Sequence, residues 1–87
     1  MNVNIIFATR ISSAIKGSQY TQKQIAILLG ISEGNITNWK NGDNLPSIET
    51  LCKLAILLDE KIDYLVGIED EVGNRSKSIN IKNFSTQ

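Results

Sequence analysis

Residues 21–42 read TQKQIAILLGISEGNITNWKNG, and the spacing within this stretch decides the fold. Thr21 is followed three residues later by Gln24, the reciprocal capping pattern that opens a helix. That helix carries Ile25, Ala26, Leu28 and Leu29 and ends at Gly30. Ser32 then caps a second helix with Ile36 and Trp39 on its apolar face, and Asn41-Gly42 stops it. Only Gly30, Ile31 and Ser32 lie between the two, too few for a comfortable antiparallel reversal. Glycine takes positive φ without steric cost, Ile31 plugs the corner, and the small Ala26 allows close approach. Two short helices are therefore expected to cross steeply through a tight turn.

Working outward, helical spacing continues on both sides. Phe7, Ile11, Ala14 and Ile15 follow the i, i+4, i+7, i+8 pattern of one helix face, closed by Gly17 and Ser18. Beyond the motif, Pro46 precedes Ser47, another N-cap, and Leu51, Leu54, Ala55 and Leu58 stripe a fourth helix. Asp63 is expected to cap a last turn through Tyr64, Leu65 and Val66 to Gly67. No strand pattern or repeat interrupts this before residue 68. The expected fold is all-α, a compact five-helix bundle containing a helix-turn-helix, over residues 1–68. Residues 69–87 are expected to form a polar linker or tail. Within it EDEVGNRSKS (69–78) lacks periodicity, and Ile79 and Ile81 alternate with Asn80 and Lys82 as far as Phe84. This faint strand signal leaves open a disordered tail, a dimerisation strand or the start of a further domain.

Composition narrows the chemistry. The chain has 87 residues, 41% hydrophobic and 21% charged, enough for one small domain with a thin stability margin and no deep, enclosed active site. It has no histidine, the commonest general base and metal ligand. Its single cysteine, Cys52, excludes an intramolecular disulfide and a multi-cysteine zinc site. Cys52 lies among leucines and reads as a small buried hydrophobe. Histidine, a phosphate-cradling loop and an acid pair at a pocket are all missing, so the expectation is a protein that is not an enzyme, with no cofactor, metal or small-molecule ligand. The longest apolar run, Ile25 to Ile31, is far short of a membrane span, and no basic segment precedes an apolar stretch as in a signal peptide. A soluble cytoplasmic protein without a membrane partner is expected.

Net charge is zero, but its distribution is uneven. Residues 1–45 hold Arg10, Lys16, Lys23 and Lys40 against Glu33 and Asp43. Residues 46–71 hold Lys53 and Lys61 against Glu49, Asp59, Glu60, Asp63, Glu69, Asp70 and Glu71. The remainder carries Arg75, Lys77 and Lys82 and no acid. This pattern would let the first and last segments face a polyanion while the middle faces away.

In these residues the chain resembles the Cro/cI-type (XRE, lambda-repressor-like) DNA-binding domains. The match comprises Gln22 at the motif start, Ala26 four residues on, Gly30 in the turn, Ile31, Ile36 and Trp39 beneath it, then Asn41-Gly42 and Pro46. It extends over roughly residues 4–67. Two positions depart from the family pattern. Many relatives pair a buried arginine in the first helix with a glutamate late in the third; Ile15 and Lys40 stand there, so both partners change together. The glycine common after the fourth helix is Asp59, which tolerates the left-handed conformation passably.

At 100° per residue, Ile36 and Trp39 define the buried side of the third helix. Gly34, Thr37, Asn38 and Asn41 fall roughly opposite, with Glu33 at the exposed N-terminus. Geometry and resemblance together make Ser32, Glu33, Gly34, Thr37 and Asn38 the candidate base-contacting residues in a major groove. Asn38 matches adenine N6 and N7, Glu33 accepts from cytosine N4, the Thr37 methyl touches thymine, and Gly34 permits close approach. Thr21, Gln22, Lys23, Lys40, Asn41 and Asn44 are the candidate phosphate contacts.

So few cations imply weak binding by one copy. A homodimer on a palindromic double-stranded operator, acting as a phage- or prophage-type repressor, is the leading expectation. The candidate dimer surfaces are the cluster of Tyr64, Leu65, Val66 and Ile68 and the Ile79–Phe84 segment, with the tail favoured. The alternative is a protein-interaction module, an antitoxin or adaptor on the same fold.

Overall fold

The computed structural model describes residues 2–70 and 72–75. Five helices follow one another: α1 (Val3–Lys16), α2 (Gln22–Leu29), α3 (Glu33–Lys40), α4 (Ile48–Leu58) and α5 (Ile62–Val66). Side-chain caps open four of them. Asn2, Thr21, Ser32 and Ser47 each accept from the backbone N–H three residues on. At α2 the box is complete, because Gln24 accepts in return from the Thr21 N–H at 2.8 Å. Such a cap contributes about 1 kcal/mol, a useful fraction of a small domain's stability.

The apolar faces meet in one core of Phe7, Ile11, Ile15, Ile25, Ala26, Ile36, Trp39, Leu54 and Leu65. Helix α1 packs chiefly on α3 and α5, while α2 meets α3 and α4. At the α1–α3 contact the rings of Phe7 and Trp39 pack edge to face, their centroids 6.3 Å apart. Ile15 fills the position of the family's buried arginine and is itself buried. Lys40, at the companion position, is exposed on α3. No polar or charged residue is buried among the described residues.

Three expectations need correction. Cys52 is exposed: it lies two residues from the fully buried Leu54, about 200° around the helix, and so points away from the core. Asp63 does not cap α5, because the helix begins at Ile62, two residues earlier than an Asp63 cap would start it, with Lys61 as an N-cap that makes no side-chain capping bond. Leu65, expected in a dimer surface, is fully buried in the core.

Asp59 does take the left-handed conformation after α4, at φ 53° and ψ 48°. Gly67 ends α5 at φ 91°, and a Cβ there would stand 3.0 Å from Ile6. Both the backbone angle and the close approach of α1 require glycine at this point.

The start of the polar segment folds back on the bundle. The Glu69 N–H donates to the Asp63 carbonyl at 3.0 Å, and the Asp70 N–H to that of Asn74 at 2.8 Å. The Asp70 carboxylate accepts from the N–H groups of Val72 and Asn74, and the backbone bond from Asn74 is the main reason its pKa lies below the ordinary value. Arg10 reaches across from α1, donating to the carbonyls of Tyr64 and Glu69, with its guanidinium 4.5 Å from the centre of the Tyr64 ring. Arg75 pairs with Asp63, and Lys61 with Glu69. The Ile79–Phe84 strand signal lies outside the described residues.

Candidate nucleic-acid interface

The corner between α2 and α3 is built as its spacing requires. Gly30 sits at φ 69° and ψ 34° and donates to the carbonyls of Ala26 and Ile27. The Ile31 N–H closes on the Ala26 carbonyl at 3.0 Å. Ile31 packs against the core, and Ala26 is buried. With Ile36 and Trp39 held beneath, the opposite face of α3 is turned outward.

On that face Ser32, Glu33, Gly34 and Thr37 are exposed, whereas Asn38 is half-buried at its flank. Ser32 is also the N-cap, so its hydroxyl already accepts from the Asn35 N–H. Gly34 has ordinary helical geometry, and a Cβ there would meet only the Ser32 hydroxyl at 3.7 Å. The fold itself therefore does not need glycine at position 34.

Among the candidate phosphate contacts, Thr21, Lys23, Lys40, Asn41 and Asn44 are exposed and Gln22 is half-buried. Gln22 occupies the first turn of α2, where backbone N–H groups lack intrahelical acceptors. Its side chain spans the corner: Nε2 donates to the Thr37 hydroxyl at 2.9 Å, and Oε1 accepts from Lys40 Nζ at 3.0 Å. A longer bond of 3.4 Å joins Nε2 to the Glu33 carbonyl. One amide thus links α2 to residues 33, 37 and 40 of α3. The sequence pattern points to each of these residues singly; their connection depends on the crossing of the helices.

Charge is sorted differently from its order in the chain. Arg10 and Arg75, which sequence order assigns to the basic segments, are engaged around α5. Asp59, Glu60, Glu69 and Asp70 gather there with Lys61 around an open depression. The surface of α2 and α3 keeps Lys23 and Lys40 against the single acid Glu33, so the local excess of positive charge there is small.

Comparison with known proteins agrees with this architecture. The Helix-turn-helix family model matches residues 11–65. The chain is 35% identical over 69 residues to the HTH-type transcriptional regulator ImmR of Bacillus subtilis, covering 79% of this chain and 54% of that protein. It is 36% identical over 58 residues to the cryptic phage CTXphi transcriptional repressor RstR of Vibrio cholerae, covering 67% and 52%. The chain thus spans about half the length of these relatives. Among solved structures, the SOS-response transcriptional repressor LexA of Eubacterium rectale superposes with a TM-score of 0.73 at 25% identity, covering 92% of this chain and 84% of that one. The restriction-modification controller protein C.AhdI of Aeromonas hydrophila shares the fold, with a TM-score of 0.63 at 22% identity and coverage of 71% and 94%. No helix among the described residues is long and apolar enough to cross a membrane. The capped helices, the glycine corner and the family match together make this chain a member of the Cro/cI-type helix-turn-helix family of DNA-binding transcription regulators.

Proposed function

We propose that this protein is a sequence-specific repressor that binds a palindromic operator as a dimer, with α3 in the major groove. The observation that carries this reading is the outward face of α3, anchored through Gln22 to the start of α2. A recognition helix needs a fixed register, because phosphate contacts position the protein and base contacts discriminate. Here Ser32, Glu33, Gly34, Thr37 and Asn38 read bases, and Thr21, Gln22, Lys23, Lys40, Asn41 and Asn44 approach phosphates. The repressor named among the relatives supports the direction of regulation.

Two cations per copy neutralise few phosphates, so useful affinity requires two copies reading half-sites roughly 34 Å apart, or about 10 bp. A titration of genomic fragments across a salt series tests the reading. The expected result is one preferred site and an affinity that falls with salt at a log–log slope of about −4, two lysines from each of two copies. Binding without site preference or salt dependence would instead point to a protein-interaction module.

A further inference from the structure

The turn that follows α3 places an acid where a DNA-binding surface needs cations. Asn41 ends α3 as its C-cap, and Gly42 turns the chain at φ 80°. The Gly42 and Asp43 N–H groups then donate back to the carbonyls of Trp39 and Asn38, at 3.1 and 2.9 Å. Asp43 is thereby fixed at the C-terminal end of α3, which already carries the negative pole of the helix dipole. Asn41 and Asn44 on either side of it are candidate phosphate contacts, and all three residues are exposed. With Asp43 included, Lys23 and Lys40 face Glu33 and Asp43, and the surface has no excess of positive charge. The ion pairs of the described residues lie on α4 and around α5 and include neither Glu33 nor Asp43.

We infer that Asp43 limits the affinity of this domain for DNA of any sequence, by repelling the phosphates that Asn41 and Asn44 approach. The inference rests on the interface proposed above and adds to it a residue that opposes binding. Chain geometry sets the reach. Consecutive Cα atoms are about 3.8 Å apart, so one or two residues separate Asp43 from either asparagine. A phosphate held by Asn41 or Asn44 therefore lies about one Debye length, ~10 Å at 0.1 M salt, from the Asp43 carboxylate. A like charge at that range in water weakens binding about twofold per phosphate before screening. Two phosphates make the loss about threefold per copy at low salt.

The repulsion acts on the backbone, which is the same in every sequence. Glu33, at the other end of α3, has a different part, because its carboxylate accepts from cytosine N4 in the proposed complex. One acid discriminates between bases, and the other weakens every complex alike.

Binding of the full-length chain to its preferred genomic site and to an unrelated duplex, across a salt series, tests this. Asp43→Asn keeps the shape of the side chain and removes only its charge. It should tighten both complexes about three- to tenfold near 0.05 M salt, and the gain should fade by about 0.5 M as screening shortens the reach. Asp43→Glu should bind like the parent. Asp59→Asn removes the same charge after α4, at a left-handed position that asparagine adopts readily, and should gain less than about twofold. The inference is overturned if Asp43→Asn binds no more tightly than the parent, or if its gain persists at high salt. A gain confined to the operator, or matched by Asp59→Asn, overturns it too. Operator preference with affinity indifferent to Asp43 rejects this inference alone. A salt-sensitive gain on all DNA, in a chain without a preferred site, supports the role of Asp43 and rejects only the sequence-specific reading. A chain that binds no duplex rejects both.

Discussion

The side-chain amide of Gln22 donates to the hydroxyl of Thr37 at 2.9 Å, joining the first turn of α2 to the outward face of α3. Its oxygen accepts from Lys40, so one side chain restrains both a candidate base contact and a candidate phosphate contact. Gln22→Ala should cost only about 0.5–1.5 kcal/mol of stability, as expected for an accessible hydrogen bond. Operator affinity should fall more, by about tenfold or greater, because the alignment of phosphate and base contacts is lost along with one contact. Thermal melts paired with operator titrations check this. Unchanged operator affinity would remove Gln22 from the interface.

Gly34 separates the demands of fold and binding. It lies within α3 with room for a methyl group, so Gly34→Ala should raise stability by about 0.5–1 kcal/mol through helix propensity. The same variant should bind the operator less tightly if α3 comes as close to the base edges as proposed. A variant that gains stability and keeps full operator affinity would show that nothing approaches this glycine closely.

Asn38 and Lys40 should respond differently. Asn38→Ala is expected to cost about 1–3 kcal/mol against the preferred base and to relax specificity at that position. Lys40→Ala should weaken all sequences alike and reduce the salt slope by about one ion. Equal losses across a panel of operator variants for both substitutions would contradict these roles.

Trp39 carries the structural load beneath the same helix. It is 4% exposed and packs edge-on to Phe7. Trp39→Ala should therefore cost about 3–5 kcal/mol, enough to unfold a domain this small. Loss of the helical circular dichroism signal at ambient temperature would report it, and a melting temperature within a few degrees of the parent would contradict the packing described.

The parts of the molecule legible in the sequence are those set by local spacing. Thr21 with Gln24, Gly30 before Ser32, and Ile36 with Trp39 declare the corner within one short stretch, and the outward side of α3 follows by rotation. Helix α4 was harder, because IETLCKLAILL is apolar nearly all round and periodicity alone does not say which stripe faces inward. Its leucine neighbours suggest the inner stripe for Cys52, which in fact lies on the outer one. The start of α5 was obscured because Lys61 offers no capping side chain. The bonds from Arg10 span 54 and 59 residues, beyond any local pattern, and with them went the folded start of the polar segment. Gln22 and Thr37 were each legible as interface candidates, but their contact depends on the crossing angle.

The apolar filling at Ile15 has a practical consequence. Where an arginine–glutamate pair is buried, protonating the acid strands the arginine's charge in the core and disturbs the fold along with the surface. Here no charged residue is buried among the described residues, the pairs Glu49–Lys53 and Asp63–Arg75 are largely exposed and of the weakly stabilising kind, and Lys61–Glu69 keeps its lysine end in solvent. The folded state should therefore be nearly indifferent to ionic strength over the range in which polyanion binding collapses. Added salt then acts on one equilibrium and not the other, so a loss of complex at high salt measures counterion release from DNA rather than melting of its partner.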